Sequence, residues 1–274
     1  MQLGIFAKTF PGTGAPALLG AARAAGYDCT QFNMASIGLP AMPDAIPDAV
    51  LADLGAAAAE SGVAIVALSG TYNIIHPDPT VRADGLRRLG VMLTAARRLG
   101  VGLVTLCTGT RDALDQWRHH PDNATPSAWA DLCREMAQAV AMAEAAGVDL
   151  GIEPEQANVV TSAADAKRLI SEMGSARVRI VLDPANLFEL ADQTGARTVV
   201  AEAIDLLGGR IAMVHAKDRA DDGTFTTVGK GVVDFPDFVA RLRAAGFAGP
   251  MVTHGLTAEE APGVASYLRG LISR

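Results

Sequence analysis

Four segments in the second half of the sequence each close an apolar run on a group able to hold a cation or carry a proton. They are Gly151-Ile152-Glu153-Pro154-Glu155, Val181-Leu182-Asp183-Pro184-Ala185-Asn186, Val214-His215-Ala216-Lys217-Asp218 and Val252-Thr253-His254. Carboxylate and imidazole donors in combination suit Mn²⁺, Mg²⁺, Co²⁺, Fe²⁺ or Zn²⁺. Glu153, Asp183, His215 and His254 are therefore candidate ligands of one divalent ion. Any one of them alone is more simply read as a helix cap or a loop hydrogen bond. Their recurrence on four consecutive segments argues for a shared site. Glu153 and His254 are also candidate proton carriers, the imidazole because it titrates near neutral pH. Lys217 follows His215 by two residues, so on a strand it faces the same side. There it polarises a carbonyl or forms an ion pair with an acid.

Such groups need a scaffold that carries all four run ends to one place. Short β-rich apolar runs alternate with longer Ala/Leu/Arg stretches of helical period, and eight such pairs can be counted. The predicted strands are Leu3 to Lys8, Cys29 to Met34, Ala64 to Ser69, Leu103 to Cys107, Asp149 to Glu153, Arg179 to Asp183, Ile211 to His215 and Pro250 to His254. Predicted helices include Pro79 to Leu99 and Ser127 to Ala146, the latter opened by Ser127 and closed by Gly147. Eight units in 274 residues match a (β/α)8 TIM barrel, an α/β fold, with a doubly wound open sheet as the competitor. No dinucleotide or P-loop fingerprint follows the first strand, since Gly12-Thr13-Gly14 lacks the rest of either pattern. No linker or low-complexity segment divides the chain, so one domain over 1–274 is expected. In a barrel the functional groups stand at the carboxyl ends of the strands, and neighbouring strands lie about 4.8 Å apart, close enough for their tips to share an ion.

Composition removes several function classes. Half of the residues are apolar, yet no apolar stretch approaches the roughly 20 residues needed to cross a bilayer. The net charge of −7, without a basic cluster, argues against nucleic acid and anionic lipid as partners. Cys29, Cys107 and Cys133 are odd in number and lack CxxC spacing, which suits neither a disulfide framework nor a thiolate zinc site. No export signal is visible, and a cytoplasmic location is the expectation.

The order Glu153, then Asp183 with Asn186, then His215-Ala216-Lys217-Asp218, then Gly229-Lys230-Gly231-Val232-Val233-Asp234-Phe235 resembles the xylose-isomerase-like TIM barrels, the sugar phosphate isomerase/epimerase family. The segment from Tyr72 to Asp78 contributes, and the resemblance spans nearly the whole chain. It implies one divalent ion, with Mn²⁺ first, held by Glu153, Asp183, His215 and the last strand's residue. It further implies a small carbohydrate substrate, proton transfer through a metal-stabilised enediolate, and a homodimer or homotetramer. The sequence departs from the family pattern at two positions. His254 stands where the family usually has Glu, and Asn186 where it commonly has His. Glu153 is then the one remaining carboxylate of the family's usual pair, unless Glu155 substitutes for the other. A one-base isomerase or a metal-assisted elimination on a keto-sugar accommodates the departure.

Further candidates line the predicted rim. Lys8 and Asn33, at the ends of the first two strands, either hydrogen-bond sugar hydroxyls or stabilise loops. His76 is either a loop residue or a substrate contact. The long polar connection from Thr108 to Pro126 carries Trp117, which stacks on a sugar face or packs the loop, and Arg111, which holds a carboxylate or phosphate. Asn186 completes the predicted substrate contacts. Gly229-Lys230-Gly231 is read as a tight turn in preference to a phosphate cradle. The leading function is a metal-dependent sugar isomerase or epimerase, with a keto-sugar lyase or dehydratase next. Alternatives of another class are an apurinic-endonuclease-like nuclease, which five histidines and a pI near 5.2 disfavour, and a non-catalytic sugar-binding subunit.

Overall fold

The computed structural model describes residues 1–273. Eight parallel strands close into a barrel: β1 (Gln2–Phe6), β2 (Cys29–Phe32), β3 (Ala64–Ser69), β4 (Leu103–Leu106), β5 (Asp149–Ile152), β6 (Val178–Leu182), β7 (Ile211–Ala216) and β10 (Pro250–Thr253). Pairing of β1 with β10, from Gln2 opposite Pro250 to Ile5 opposite Thr253, closes the ring and excludes the open-sheet competitor. Between β7 and β10 lies a two-stranded antiparallel hairpin of β8 (Asp218–Arg219) and β9 (Phe225–Thr226). The helices are α1 (Ala15–Ala24), α2 (Asp48–Ser61), α3 (Pro79–Leu99), α4 (Pro126–Ala146), α5 (Ala163–Met173), α6 (Gln193–Leu207), α7 (Phe235–Ala244) and α8 (Ala261–Ile272). No helix among the described residues is long and apolar enough to cross a membrane.

Local chemistry explains the boundaries. Asp78 caps α3 by accepting from Thr80 N at 2.8 Å, and Pro79, which has no N–H to leave unpaired, occupies the first turn. The opener of α4 is Thr125 rather than Ser127. Its hydroxyl accepts from Ala128 N, and Pro126 starts the helix with a preset φ. Most barrel strands end one or two residues before the predicted points. Glu153, Asp183 and His254 thus stand just past β5, β6 and β10, and Lys8 and Asn33 lie beyond β1 and β2.

Alternation along the strands creates two apolar regions. One, including Leu3, Ile5, Phe32, Leu150, Ile180 and Val214, lies between strands and helices, and a second, of Ala67, Leu103, Val181, Met213 and Val252, fills the barrel. The interior is crowded at this level. A Cβ on Gly4 would lie 2.7 Å from Cys29 Sγ, and one on Gly151 2.8 Å from Val181 Cγ2. A polar side chain has no room there, so residues one alternation further along the strands form a polar layer at the carboxyl-terminal mouth.

Candidate active site

Period-two alternation from Val181 brings Asp183 inward, and from Met213 it brings His215 and Lys217 inward. Asp183, His215 and Lys217 are all buried. Glu153 Oε1 lies 3.3 Å from His215 Nδ1, and Asp183 Oδ2 lies 3.8 Å from the same nitrogen. One ligand atom each from Glu153, Asp183 and His215 fall within 4.8 Å of one another. Asp183 Oδ2 is buried without a hydrogen bond, its partner being the Lys217 ammonium at 3.2 Å. Asn186 braces the group, donating from Nδ2 to Glu153 Oε1 at 2.8 Å and accepting from Lys217 Nζ at 2.7 Å. Two hard oxygen donors and one imidazole, with a buried carboxylate oxygen that only an ammonium faces, fit a divalent cation.

The electrostatics pull the neighbours apart. Burial alone would raise the Glu153 carboxyl, but His215, Lys217 and His254 bring it down to about 2. Burial wins at Asp183, which is raised against the opposing pull of Lys217. Burial works to lower His215, yet Glu153 and Asp183 raise it above the ordinary imidazole value. Glu155 is pushed up to about 7 by burial and by the neighbouring Glu153 charge. His254 is driven well below its ordinary value, by burial first and then by His215 and Lys217, and is a neutral imidazole at neutral pH.

His254 lies beside the three-residue group. Its ring centroid is 5.3 Å from that of His215, and the Phe6 ring meets it edge-on at 5.2 Å. Its Nδ1 is buried with no hydrogen bond. Lys8 sits on the turn after β1 with Nζ 4.5 Å from the Phe6 ring centroid, and burial followed by repulsion from Lys217 lowers its pKa.

Besides Asn186, three of the predicted substrate contacts have partners within the protein. Asn33 accepts from Ala35 N and caps a short 3₁₀ turn. His76 accepts at Nδ1 from Asp78 N, so Nε2 carries the proton and donates to Ala113 O at 3.2 Å. Arg111 pairs with Asp131 at 2.5 Å and donates to the Ile75 carbonyl. Its guanidinium has therefore found its carboxylate inside the chain and ties the long loop to α4. Trp117 is 53% exposed on that loop.

The glycine turn after β7 also has an occupant. Gly229 N and Gly231 N donate to Asp218 Oδ2, each at 2.9 Å, and Arg219 N and Val233 N donate to Oδ1. The turn cradles the chain's own carboxylate where a phosphate was the alternative. A Cβ on Gly231 would fall 2.2 Å from Arg219 O, which explains the glycine.

Sequence reasoning passed over Gln31, Ser69 and Thr105. These buried residues on β2, β3 and β4 form a polar arc that adjoins the acidic strands, β4 pairing with β5. Gln31 Oε1 lies 2.8 Å from His215 Nε2, and its amide nitrogen donates to Ser69 Oγ and Thr105 Oγ1. The available signal was an amide inside a short, otherwise fully buried strand, where an unpaired polar group is costly.

The fold recurs in solved structures. A 3-keto-D-glucoside 4-epimerase from E. coli is 18% identical, covering 98% of this chain and 99% of its own, with a TM-score of 0.78. A D-psicose 3-epimerase from Clostridium cellulolyticum H10 is 15% identical over 99% of both chains, with a TM-score of 0.77. The zinc-binding IolI protein is 19% identical, covering all of this chain and 98% of its own, with a TM-score of 0.74. No curated protein matches the chain in sequence. The family model described as xylose isomerase-like TIM barrel matches residues 19–271, nearly the full length. With its closed eight-stranded barrel, the chain belongs to the xylose isomerase-like TIM barrel family.

Proposed function

We propose that the protein is a divalent-metal-dependent isomerase or epimerase of a small sugar or related hydroxy-carbonyl compound. The observation that carries this reading is the meeting of Glu153, Asp183 and His215 at one buried point of the barrel mouth, with Lys217 beside them. The epimerases sharing the fold support it, as does the zinc in the IolI protein. A divalent ion bound there would supply Lewis acidity toward adjacent carbonyl and hydroxyl oxygens and so acidify the neighbouring C–H. Mn²⁺ is the first choice.

The chain's own groups do the rest. Glu153, held ionised, serves as ligand and proton acceptor. His254, neutral with a buried and unpartnered Nδ1, takes the second proton-carrying position that a carboxylate fills elsewhere in the family. Lys217, fixed by Asn186 and Asp183, directs a positive charge at a substrate oxygen. Lys8 and Trp117 offer a cation and an exposed ring to the sugar's outer end, with Asn33, His76 and Arg111 shaping the loops around it. In this reading the chain works as a homodimer or homotetramer. Leu114, Leu190 and Phe225, all exposed on the mouth-side connections, provide apolar surface for contact.

The test is metal content by mass spectrometry on protein purified without chelators, with the double variant Glu153→Gln/His215→Ala as control. One divalent ion per chain, lost in the control, followed by solvent deuterium in recovered ketoses, is the expected result. No binding of Mn²⁺, Co²⁺ or Zn²⁺ after incubation overturns the reading. The replacement of the family's last-strand Glu by His254 favours elimination as the second reading, marked by an unsaturated carbonyl product and a released leaving group.

A further inference from the structure

We propose that Gln31 is a positioning residue that locks His215 as its Nε2–H tautomer, so that the Nδ1 lone pair is aimed between Glu153 and Asp183. The inference rests on the reading of those three residues as a cation site.

Gln31 is buried on β2, 184 residues from His215 in sequence and three strands from β7 around the barrel. Its amide has two N–H groups and one carbonyl oxygen. Nε2 donates to Ser69 Oγ at 3.2 Å and Thr105 Oγ1 at 3.1 Å, which uses both N–H groups. Oε1 is left facing His215 Nε2 at 2.8 Å. An amide oxygen only accepts, so the proton belongs on Nε2 of the ring. The neutral ring carries one N–H, so in that form Nδ1 is bare; a second proton would sit on Nδ1 against Glu153 Oε1, and a cation would take its place. That nitrogen lies 3.3 Å from Glu153 Oε1 and 3.8 Å from Asp183 Oδ2, the spacing a shared cation would bridge. Turning the amide round would place an N–H donor against Nε2, move the ring proton to Nδ1 and cover the lone pair the cation needs.

The arrangement sets two groups of strands to one task. Strands β5, β6 and β7 position Glu153, Asp183 and His215, while β2, β3 and β4 position nothing that touches the cation point directly. Their contribution is to hold one amide in one orientation through two hydroxyls. Outer hydrogen bonds of this kind to a ligating histidine are worth about 10–100-fold in metal affinity.

The experiment combines long-range ¹H–¹⁵N spectra of histidine-labelled protein with calorimetric titration by Zn²⁺ alone. Metal-free protein in alkaline solution is expected to show His215 as the Nε2–H tautomer, and Zn²⁺ is expected to shift Nδ1. Gln31→Leu should weaken Zn²⁺ binding by about 10–100-fold. Gln31→Glu should restore it to within a few fold of the parent, since a carboxylate still accepts from Nε2–H. The pair Ser69→Ala/Thr105→Val, which frees the amide to turn, should give a mixture of tautomers in a folded protein. An Nδ1–H tautomer in the parent protein, or Zn²⁺ binding unchanged in Gln31→Leu, overturns the inference. A parent protein with the Nε2–H tautomer that binds no Zn²⁺ leaves the positioning role intact and overturns the cation reading instead.

Discussion

Asn186 Nδ2 donates to Glu153 Oε1 at 2.8 Å, and the same side chain's Oδ1 receives the Lys217 ammonium at 2.7 Å. One neutral amide thus separates a half-buried anion from a buried cation and satisfies both. Asn186→Leu keeps the volume but removes both bonds. Each unsatisfied buried group costs about 1–3 kcal/mol. Urea denaturation should show a loss of that order together with a large fall in turnover, and unchanged stability would mean that Glu153 and Lys217 find each other without the amide.

Cation binding should register as stability. A ligand that binds only the native state adds about 2.7 kcal/mol at 100 times its Kd. Mn²⁺ or Zn²⁺ should therefore raise the thermal midpoint of the parent protein. Asp183→Asn, which replaces the buried carboxylate with a neutral amide, should abolish most of that rise. An equal rise in both proteins would place the ion elsewhere.

The turn around Asp218 predicts a sharp sensitivity to one methyl group. Gly231→Ala puts a Cβ against the Arg219 carbonyl and the Asp218 carboxylate, at a cost of about 1–3 kcal/mol. Amide exchange should quicken at Gly229, Gly231 and Val233, whose N–H groups Asp218 holds. Full protection retained in the variant would contradict the crowding.

Glu260 joins the loop after β7 to the connection leading into α8. Its carboxylate accepts from Thr227 Oγ1 at 2.6 Å, from Lys230 Nζ and from Thr257 N, and these contacts hold it down at about 2 from an ordinary 4.5. A depressed carboxyl contributes stability above its unfolded value and loses it as pH falls through the folded one. The contribution should disappear between pH 4.5 and about 2. Glu260→Gln should flatten that part of the stability–pH curve, and an unaltered acid limb would show that the contacts carry no net stability.

Thiol chemistry offers an independent check on burial. Burial pushes Cys29 and Cys107 each up to about 12, and Cys133 reaches about 12 through burial and its hydrogen bond to Glu172. Only thiolates react readily, so native protein at mildly alkaline pH should label slowly at all three. Glu172→Gln should speed labelling of Cys133 roughly tenfold and leave the buried pair unchanged. Rapid labelling of Cys107 in the folded parent would refute its burial.

The barrel was legible in the sequence because its signals are local. Apolar runs, caps such as Asp78 and helix-ending glycines such as Gly100 and Gly147 act within a few residues of where they stand. Strand ends and period-two alternation then place Glu153, Asp183, His215 and Lys217 on one rim before any coordinates are known. The roles of Asn33 and Arg111 stayed open for the complementary reason: a polar loop residue reads the same whether its partner is a ligand or another part of the chain. The Asp131 carboxylate beside Arg111 and the backbone N–H that Asn33 caps are visible only in the folded chain. The same holds for Asp218, whose acidic side chain fills the glycine turn in place of an external anion.

Residue types and their order therefore determined the fold and the candidate ligands. Closure of the barrel decided which of those groups meet. It brought Gln31 against His215 from 184 positions away, set His254 beside the three-residue group, and left Asp183 Oδ2 facing the Lys217 ammonium. Long-range contacts of this kind are fixed by how eight strands pack into one ring, and no local sequence signal encodes them.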